Sequence, residues 1–359
     1  MRIATYNVEW FANLFDDEGQ LLDDMQWSGR QDVTRAQQIA ALTHVFQSLD
    51  ADAVLVIEAP DSSSRRDGSV ALETFAAHAG IRARKALVGF ENHTQQEIML
   101  LYDPDLIEAR HDPIGQETGK KGSRTPPRFD GTYRIDLDID ATEDLVRFSK
   151  PPLEAEINSV EGRFRLIGVH AKSKAPHGAR NHDEMMRLAI ANRRKQLAQC
   201  IWLRERIDLH LQAGDALLVA GDFNDGPGLD AFERLFGRSG LEIVLGTDLP
   251  PEDQLFDPHV TRALHTRLSA QPTTARFYIR DEDRYLTALL DYIMVSPPLR
   301  PFCHGWRIWH PFEDPACWHD ESLRRALLMA SDHFPVTMQL AGPIPDTPPS
   351  QTPDECLPT

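Results

Sequence analysis

Short apolar runs alternate along this chain with segments whose apolar residues recur at helical spacing. Ile3 to Val8 reads as a first strand. From about Thr34 to Leu49, the residues Ile39, Leu42, Val45, Phe46 and Leu49 fall on one face of a predicted helix. The run "ADAVLVIEAPD" reads as a buried strand ending at Glu58, and "EIMLLYDP" (Glu97 to Pro104) as a third, closed by Pro104. Residues 111–134, rich in Gly, Pro and basic side chains, read as loop. Arg163 to Lys174 is a strand with a polar end, and a long helix is expected from about 181 to 212, with Leu188, Leu197, Ile201 and Leu211 among its buried positions. "DALLVAGDFNDG" follows; residues 246–285 read as irregular and polar, "LLDYIMVS" as a strand, and "SDHFPVTMQL" as polar residues leading into a last strand. From Gly342 the chain turns Pro-rich and polar, which predicts a disordered tail (342–359) after a domain spanning 1–341.

The polar residues inside this pattern carry the functional signal. Asn7 and Glu9, Glu58, His170, Asp222 and Asn224, Asp291, and Asp332 with His333 all fall within or beside predicted strands. A buried carboxylate is costly unless it is paired or metal-bound. In "VAGDFNDG" an Asn-Asp-Gly turn is one explanation, and it accounts for Asp225. A shared site for Asp222 and Asn224, on one face of a strand end, is the other. The recurrence of such residues at strand after strand favours the site. Carboxylates with an amide and no cysteine suit a hard cation, Mg²⁺ or Mn²⁺, rather than structural zinc. Histidines beside them suggest proton transfer or stabilisation of phosphoryl charge, so the set describes hydrolysis of a phosphate ester.

Composition narrows the reading. A length of 359 residues suggests about two domains as a soft prior. The net charge of −17 disfavours non-specific nucleic-acid binding, although a bound cation reverses the local field. The 4 cysteines are scattered, which predicts no disulfide framework and is compatible with a reducing compartment. The start "MRIATYNVEW" carries no recognisable leader, and no apolar run approaches the roughly 18 residues of a membrane span. The expected location is the cytoplasm, and no protein partner is evident.

"ATYNVEW", "VIEAPD", "GVHAKS", "AGDFND", "LDYIMVS" and "SDHFPV" resemble, in order, the motifs of the endonuclease/exonuclease/phosphatase superfamily of DNase I-like phosphoesterases. The resemblance runs from residue 3 to about 340. It implies a four-layer α/β sandwich, two mixed β-sheets packed face to face and flanked by helices. It implies Glu58 as principal metal ligand, with Asn7 and Asp332 beside it and Glu9 at an often acidic position. Asp222 would orient or deprotonate water, and Asn224 would hold the nucleophile or a phosphate oxygen. His333 would contact the phosphate or act as base, with its other ring nitrogen fixed by Asp291, and His170 would donate to the phosphate or leaving oxygen. "NVEWFANLF" and "FSKPPLEAEI" are closer to bacterial members than to abasic-site repair enzymes. The expected activity is a Mg²⁺- or Mn²⁺-dependent phosphodiesterase acting on DNA or RNA. The alternatives are a hydrolase of small phosphodiesters or phosphomonoesters, and a binding protein that has lost catalysis. Arg124, Arg128 and Arg134 in the basic loop, Lys172 and Lys174 after His170, and the aromatic group Trp306, Trp309, Phe312 and Trp318 are further substrate-contact candidates.

Overall fold

The computed structural model describes residues 1–92, 94, 96–137, 143–176, 178–228, 237, 239–265, 270–279 and 283–345. Strands β1 (Arg2–Asn7), β2 (Ala53–Ala59), β3 (Lys85–Val88), β4 (Glu97–Tyr102), β14 (Cys303–Ile308) and β15 (Val336–Leu340) form a 6-stranded sheet in the order β14-β15-β1-β2-β4-β3. Strands β5 (Ile107–His111), β8 (Leu153–Ser159), β9 (Gly162–His170), β10 (Leu217–Asp222) and β13 (Asp291–Val295) form a 5-stranded sheet in the order β13-β10-β9-β8-β5. Each sheet is antiparallel except for one parallel pair, β1 with β2 and β9 with β10. Small hairpins pair β6 (Tyr133–Ile135) with β7 (Asp144–Val146), and β11 (Ala275–Ile279) with β12 (Arg284–Ala288).

Side-chain alternation explains the layering. On β2, Val54 and Val56 pack outward beneath helices α1 (Arg35–Leu49), α2 (Gly68–Ala79) and α7 (Glu321–Ala330). Leu55 and Ile57 point the other way, into the seam between the sheets, where they join Leu153, Leu166, Leu218 and Ile293. The second sheet repeats this arrangement, with Ile167 and Val219 outward beneath α3 (His182–Gln212) and α4 (Gly240–Leu245). Strands buried on both faces lose the polar alternation of a half-exposed sheet, which is why "AVLVI" and "ALLVA" read as continuous apolar runs. The result is the expected four-layer α/β sandwich. Helix α1 begins as expected, with Thr34 and Gln37 forming a reciprocal capping box. Among the described residues no helix is long and apolar enough to cross a membrane.

Three expectations are corrected. Helix α3 buries Ala198, Cys200, Trp202, Leu203 and Ile207, whereas Leu188, Leu197, Ile201 and Leu211 are only half-buried. The buried face also carries Gln196, Gln199, Arg204, Arg206 and His210, so its polarity hides it from an apolar-period reading. The 246–285 segment contains a short helix, α5 (Pro258–His265), and the β11–β12 hairpin; β12 is largely exposed and so shows no inward apolar set. A further short helix, α6 (Pro315–His319), precedes α7. At the C-terminus the packed chain passes the expected boundary: Ile344 is buried in the seam and its N–H donates to the Glu161 carbonyl at 2.7 Å. Residues 346–359 lie outside the described residues.

Arg206 tests the polar side of this packing. Its guanidinium is wholly buried, pairs with the buried Glu154 carboxylate, donates to the Pro127 carbonyl at 2.8 Å and stacks over Phe129. Arg206→Met leaves the Glu154 carboxylate buried without its main partner, and is expected to cost about 3–5 kcal/mol in chemical denaturation. A loss below about 1 kcal/mol would show that Glu154 is satisfied by other groups.

Candidate active site

The chemistry-bearing residues meet at one end of the two sheets because strand register carries them there. Asp222 ends β10, and its register partners are His170 on parallel β9 and Asp291 on antiparallel β13. Residues directly opposite one another in a sheet share a face, so three chains deliver adjacent polar side chains from their ends. The glycine before Asp222 has a structural cause: Gly221 has φ +130°, and a Cβ there would lie 2.0 Å from the Val169 carbonyl oxygen. From the other sheet, β1 delivers Asn7, and its Nδ2 donates to Asp222 Oδ2 at 3.0 Å across the seam. Glu58 sits one residue beyond the Asn7–Ile57 register pair, where β2 bulges against β4, and its own φ is +61°. A bulge with a left-handed non-glycine residue re-aims a side chain at an energetic cost, a combination concentrated at functional sites.

The Asp332–His333 segment is tied in from several directions. Ser331 Oγ donates to the Asn7 carbonyl at 2.8 Å and accepts from the His333 N–H at 3.1 Å. Thr274 Oγ1 accepts the Asp291 N–H at 3.0 Å, while the Thr274 carbonyl accepts the Phe334 N–H at 2.6 Å. His333 Nδ1 therefore reaches Asp291 Oδ2 at 2.8 Å, and its Nε2 lies 4.0 Å from Asp222 Oδ2. On the opposite flank, His170 Nε2 lies 3.7 Å from Asp222 Oδ2 and 3.9 Å from Glu58 Oε1.

Asn224 reaches the site by a different route from the one expected. β10 ends at Asp222, and Asn224 stands in a left-handed turn at φ +49°, so alternation along a strand does not align the two. Instead the Asn224 N–H donates to Asp222 Oδ1 at 2.8 Å, and its Nδ2 lies 3.1 Å from both the Ala171 carbonyl and Asp222 Oδ2. Asp225 is more than a turn residue: it is buried, pairs with Lys174 and accepts the Leu241 N–H of α4 at 2.9 Å.

Two residues at the site carry no strand signal in the sequence. Lys150 Nζ lies 3.2 Å from His170 Nδ1 and 4.0 Å from Glu58 Oε1. Gln96 Nε2 donates to Glu58 Oε2 at 2.6 Å. The basic character of "FSKPP", immediately before a strand, was the available clue to Lys150.

Glu9 stands apart from the other expected ligands. Its Oε2 pairs with Arg30, and its Oε1 accepts from the Trp10 indole at 3.0 Å. Arg30 is itself fixed by the Met329 and Leu328 carbonyls at 3.1 and 3.2 Å. Both Glu9 oxygens thus meet protein donors. Asn7 Oδ1 is the contrary case: it is buried and, like Asp291 Oδ1, accepts no hydrogen bond among the described residues. An orphaned amide oxygen beside carboxylates fits a hard cation. Among the described residues, Asp222, Asp291 and His333 also bring ligand atoms within 4.8 Å of one another.

Burial sets the proton affinities, and neighbouring charges then separate them. Burial raises Glu58, and the Asp332 charge adds to this against the opposing Lys150 and His333. Burial likewise raises Asp222 to about 7. Burial and the Lys150 ammonium hold His170 well below the ordinary histidine value, so it is a neutral ring. Burial also pulls His333 down, but Asp291 and Asp222 outweigh it and hold the ring well above that value, as an imidazolium. The two histidines therefore present different charge states to the same carboxylate.

Most of the other arginine and tryptophan candidates are engaged elsewhere. Arg124 and Arg134 pair with Glu143, and Arg128 with Glu117 and Asp130. The Trp306 and Trp309 indoles donate to the Ile293 carbonyl and to Thr337 Oγ1, at 2.8 and 2.9 Å, as packing residues. Phe312 and Trp318 remain largely exposed.

The architecture has known counterparts. The crystal structure of truncated TDP2 from Caenorhabditis elegans is similar at a TM-score of 0.50 and 13% identity, covering 95% of this chain and 97% of that one. A second structure of TDP2 from that organism is similar at a TM-score of 0.51 and 13% identity, covering 95% of this chain and 75% of that one. A 3′-5′ exonuclease (NExo) from Neisseria meningitidis aligns at a TM-score of 0.47 and 14% identity, over 95% of this chain and 100% of that one. At this identity the TDP2 likeness bears on the fold. No sequence among the curated proteins matches. The sequence profile of the Endonuclease/Exonuclease/phosphatase family matches residues 4–333, a span that takes in every strand-end residue of the site from Asn7 to His333. The chain belongs to the endonuclease/exonuclease/phosphatase family.

Proposed function

We propose that this protein is a Mg²⁺- or Mn²⁺-dependent phosphodiesterase whose leading substrate class is nucleic acid. The observation that carries the reading is the row His170–Asp222–Asp291 in register at one sheet end, capped by His333 and facing the unpartnered Asn7 Oδ1. Asn7, Glu58 and Asp332 are the residues that would hold the cation. When bound, that cation polarises a phosphoryl oxygen and offsets charge developing at phosphorus. Gln96 fixes the Glu58 carboxylate, and Glu9 anchors Arg30 rather than the cation.

Asp222 takes a proton from the attacking water, held in place by Asn7 and Asn224. The water oxygen bonds to phosphorus as the bond to the leaving ester oxygen breaks; that oxygen takes a proton from solvent, to which Asp222 afterwards releases its own. His333, oriented through Nδ1 by Asp291, offers its Nε2–H to a phosphoryl oxygen. Lys150 and His170 supply donors on the opposite flank.

A second reading, hydrolysis of small phosphate esters, draws support from the ion pairing that neutralises Arg124, Arg128 and Arg134, and from the net charge of −17. The deciding experiment is nicking of supercoiled plasmid in Mg²⁺ or Mn²⁺ against EDTA. Metal-dependent nicking that disappears in EDTA is the expected result. Absence of nicking with turnover of bis(p-nitrophenyl) phosphate or p-nitrophenyl phosphate moves the assignment to small esters. Turnover of none of these overturns the catalytic reading.

A further inference from the structure

Beside the Asp332–His333 segment lies a cavity of about 510 Å³ that the proposed hydrolysis does not use. One wall is shared with the site, through Glu9, Ser331 and Asp332; the other is the β11–β12 hairpin, which presents Arg276, Phe277 and Tyr285. The hairpin is bound to the site itself. The Arg276 N–H donates to the Asp332 carbonyl at 2.7 Å, Ala275 bridges to His333, and the Phe277 ring meets the His333 ring edge-on at 5.4 Å between centroids. A group held against the hairpin is thus held in fixed relation to His333.

Arg276 is the informative residue on this wall. Its guanidinium lies over the Tyr285 ring at 3.2 Å and is 5.4 Å from the Phe312 ring centroid. Among the described residues it has no carboxylate partner, in a chain with 55 acidic and 38 basic residues. The neighbouring cation of the cavity, Arg30, is neutralised by Glu9. Stacking occupies a guanidinium's face and leaves its N–H edge available, the geometry that grips a phosphate in bidentate fashion. A half-buried arginine without a counter-ion among the described residues, held by aromatic rings in a cavity that Asp32 and Asp332 also line, offers the N–H edge at which an anion can be received.

From this geometry we infer that the cavity is a subsite for a second phosphate group of the substrate, adjacent to the one cleaved, with Arg276 as its partner. The inference rests on the phosphodiesterase reading above for the identity of the anion. It makes Arg276 a specificity-determining residue: substrates with a flanking phosphate are preferred, and the preference resides in KM. The Tyr285 ring, itself exposed, holds the guanidinium in place.

The test compares nucleoside 3′,5′-bisphosphate with nucleoside 5′-monophosphate in equilibrium binding, and a terminally phosphorylated dinucleotide with its unphosphorylated counterpart in hydrolysis. Wild-type protein is expected to favour the doubly phosphorylated member of each pair by about tenfold, the size of one charge-assisted contact. Arg276→Ala should reduce that preference to below about twofold, and Arg276→Lys should recover part of it, since charge persists without the planar fork. Melting temperatures of both variants establish that they fold. A tenfold preference kept by Arg276→Ala, or no preference in wild type, overturns the inference while leaving the hydrolytic reading intact. A wild-type preference in binding without hydrolysis of either dinucleotide supports the subsite and overturns that reading instead.

Discussion

Asp222→Asn will lower metal-dependent hydrolysis by about 10²–10⁴-fold, the range lost when a positioned general base is removed. Asp222 is the meeting point of the site, contacted by Asn7 and Asn224 and flanked by both histidines at 3.7 and 4.0 Å. Asparagine keeps the volume and can still accept from the Asn224 N–H, so the loss reads the missing carboxylate rather than a collapsed site. The same substitution is expected to raise stability in EDTA by about 1–2 kcal/mol, because burial penalises the Asp222 charge and the substitution removes that charge without leaving a cavity. Paired measurement of initial rate and denaturation midpoint checks both halves. Wild-type rates in the variant would remove Asp222 from the mechanism. A rate loss accompanied by lost stability would assign it a structural part.

Much of this site was legible because its residues interrupt apolar strands, and an apolar run ending in a carboxylate or amide is a readable event. Glu58 after "AVLVI" and Asp222 after "LLVAG" announce themselves in that way. Register is not legible, yet here it does the assembling: His170, Asp222 and Asp291 become neighbours only because β9, β10 and β13 pair as they do. Residues that act from loops escaped for the same reason in reverse. Lys150 and Gln96 have no period to break, and the pairing of Glu9 with Arg30 joins a strand end to a loop 21 positions away. The φ of +49° at Asn224 is a turn property that a period-2 argument cannot contain. Helix α3 failed more instructively. Its core face includes Arg206, which is buried only because Glu154 on β8 is buried opposite it, and a pairing partner 52 positions distant leaves no local trace.

Asp291→Asn should reduce turnover by about 10³–10⁴-fold, comparable to His333→Ala, although Asp291 need not touch substrate. The carboxylate receives the proton on His333 Nδ1 at 2.8 Å, which fixes both the plane of the ring and the nitrogen that faces Asp222. An asparagine can satisfy the ring with its oxygen, or present its amide N–H₂ and reverse the tautomer. Either way it withdraws the negative charge that holds the imidazolium. Thr274 continues to bind the backbone N–H of residue 291, so the strand start and the hairpin contact persist in the variant. If Asp291 acts through His333, the two are one unit, and Asp291→Asn/His333→Ala will be no slower than the worse single variant within about threefold. Multiplying losses in that double variant would overturn the positioning role and require Asp291 to act on the substrate or cation directly, through the Oδ1 that accepts no hydrogen bond among the described residues.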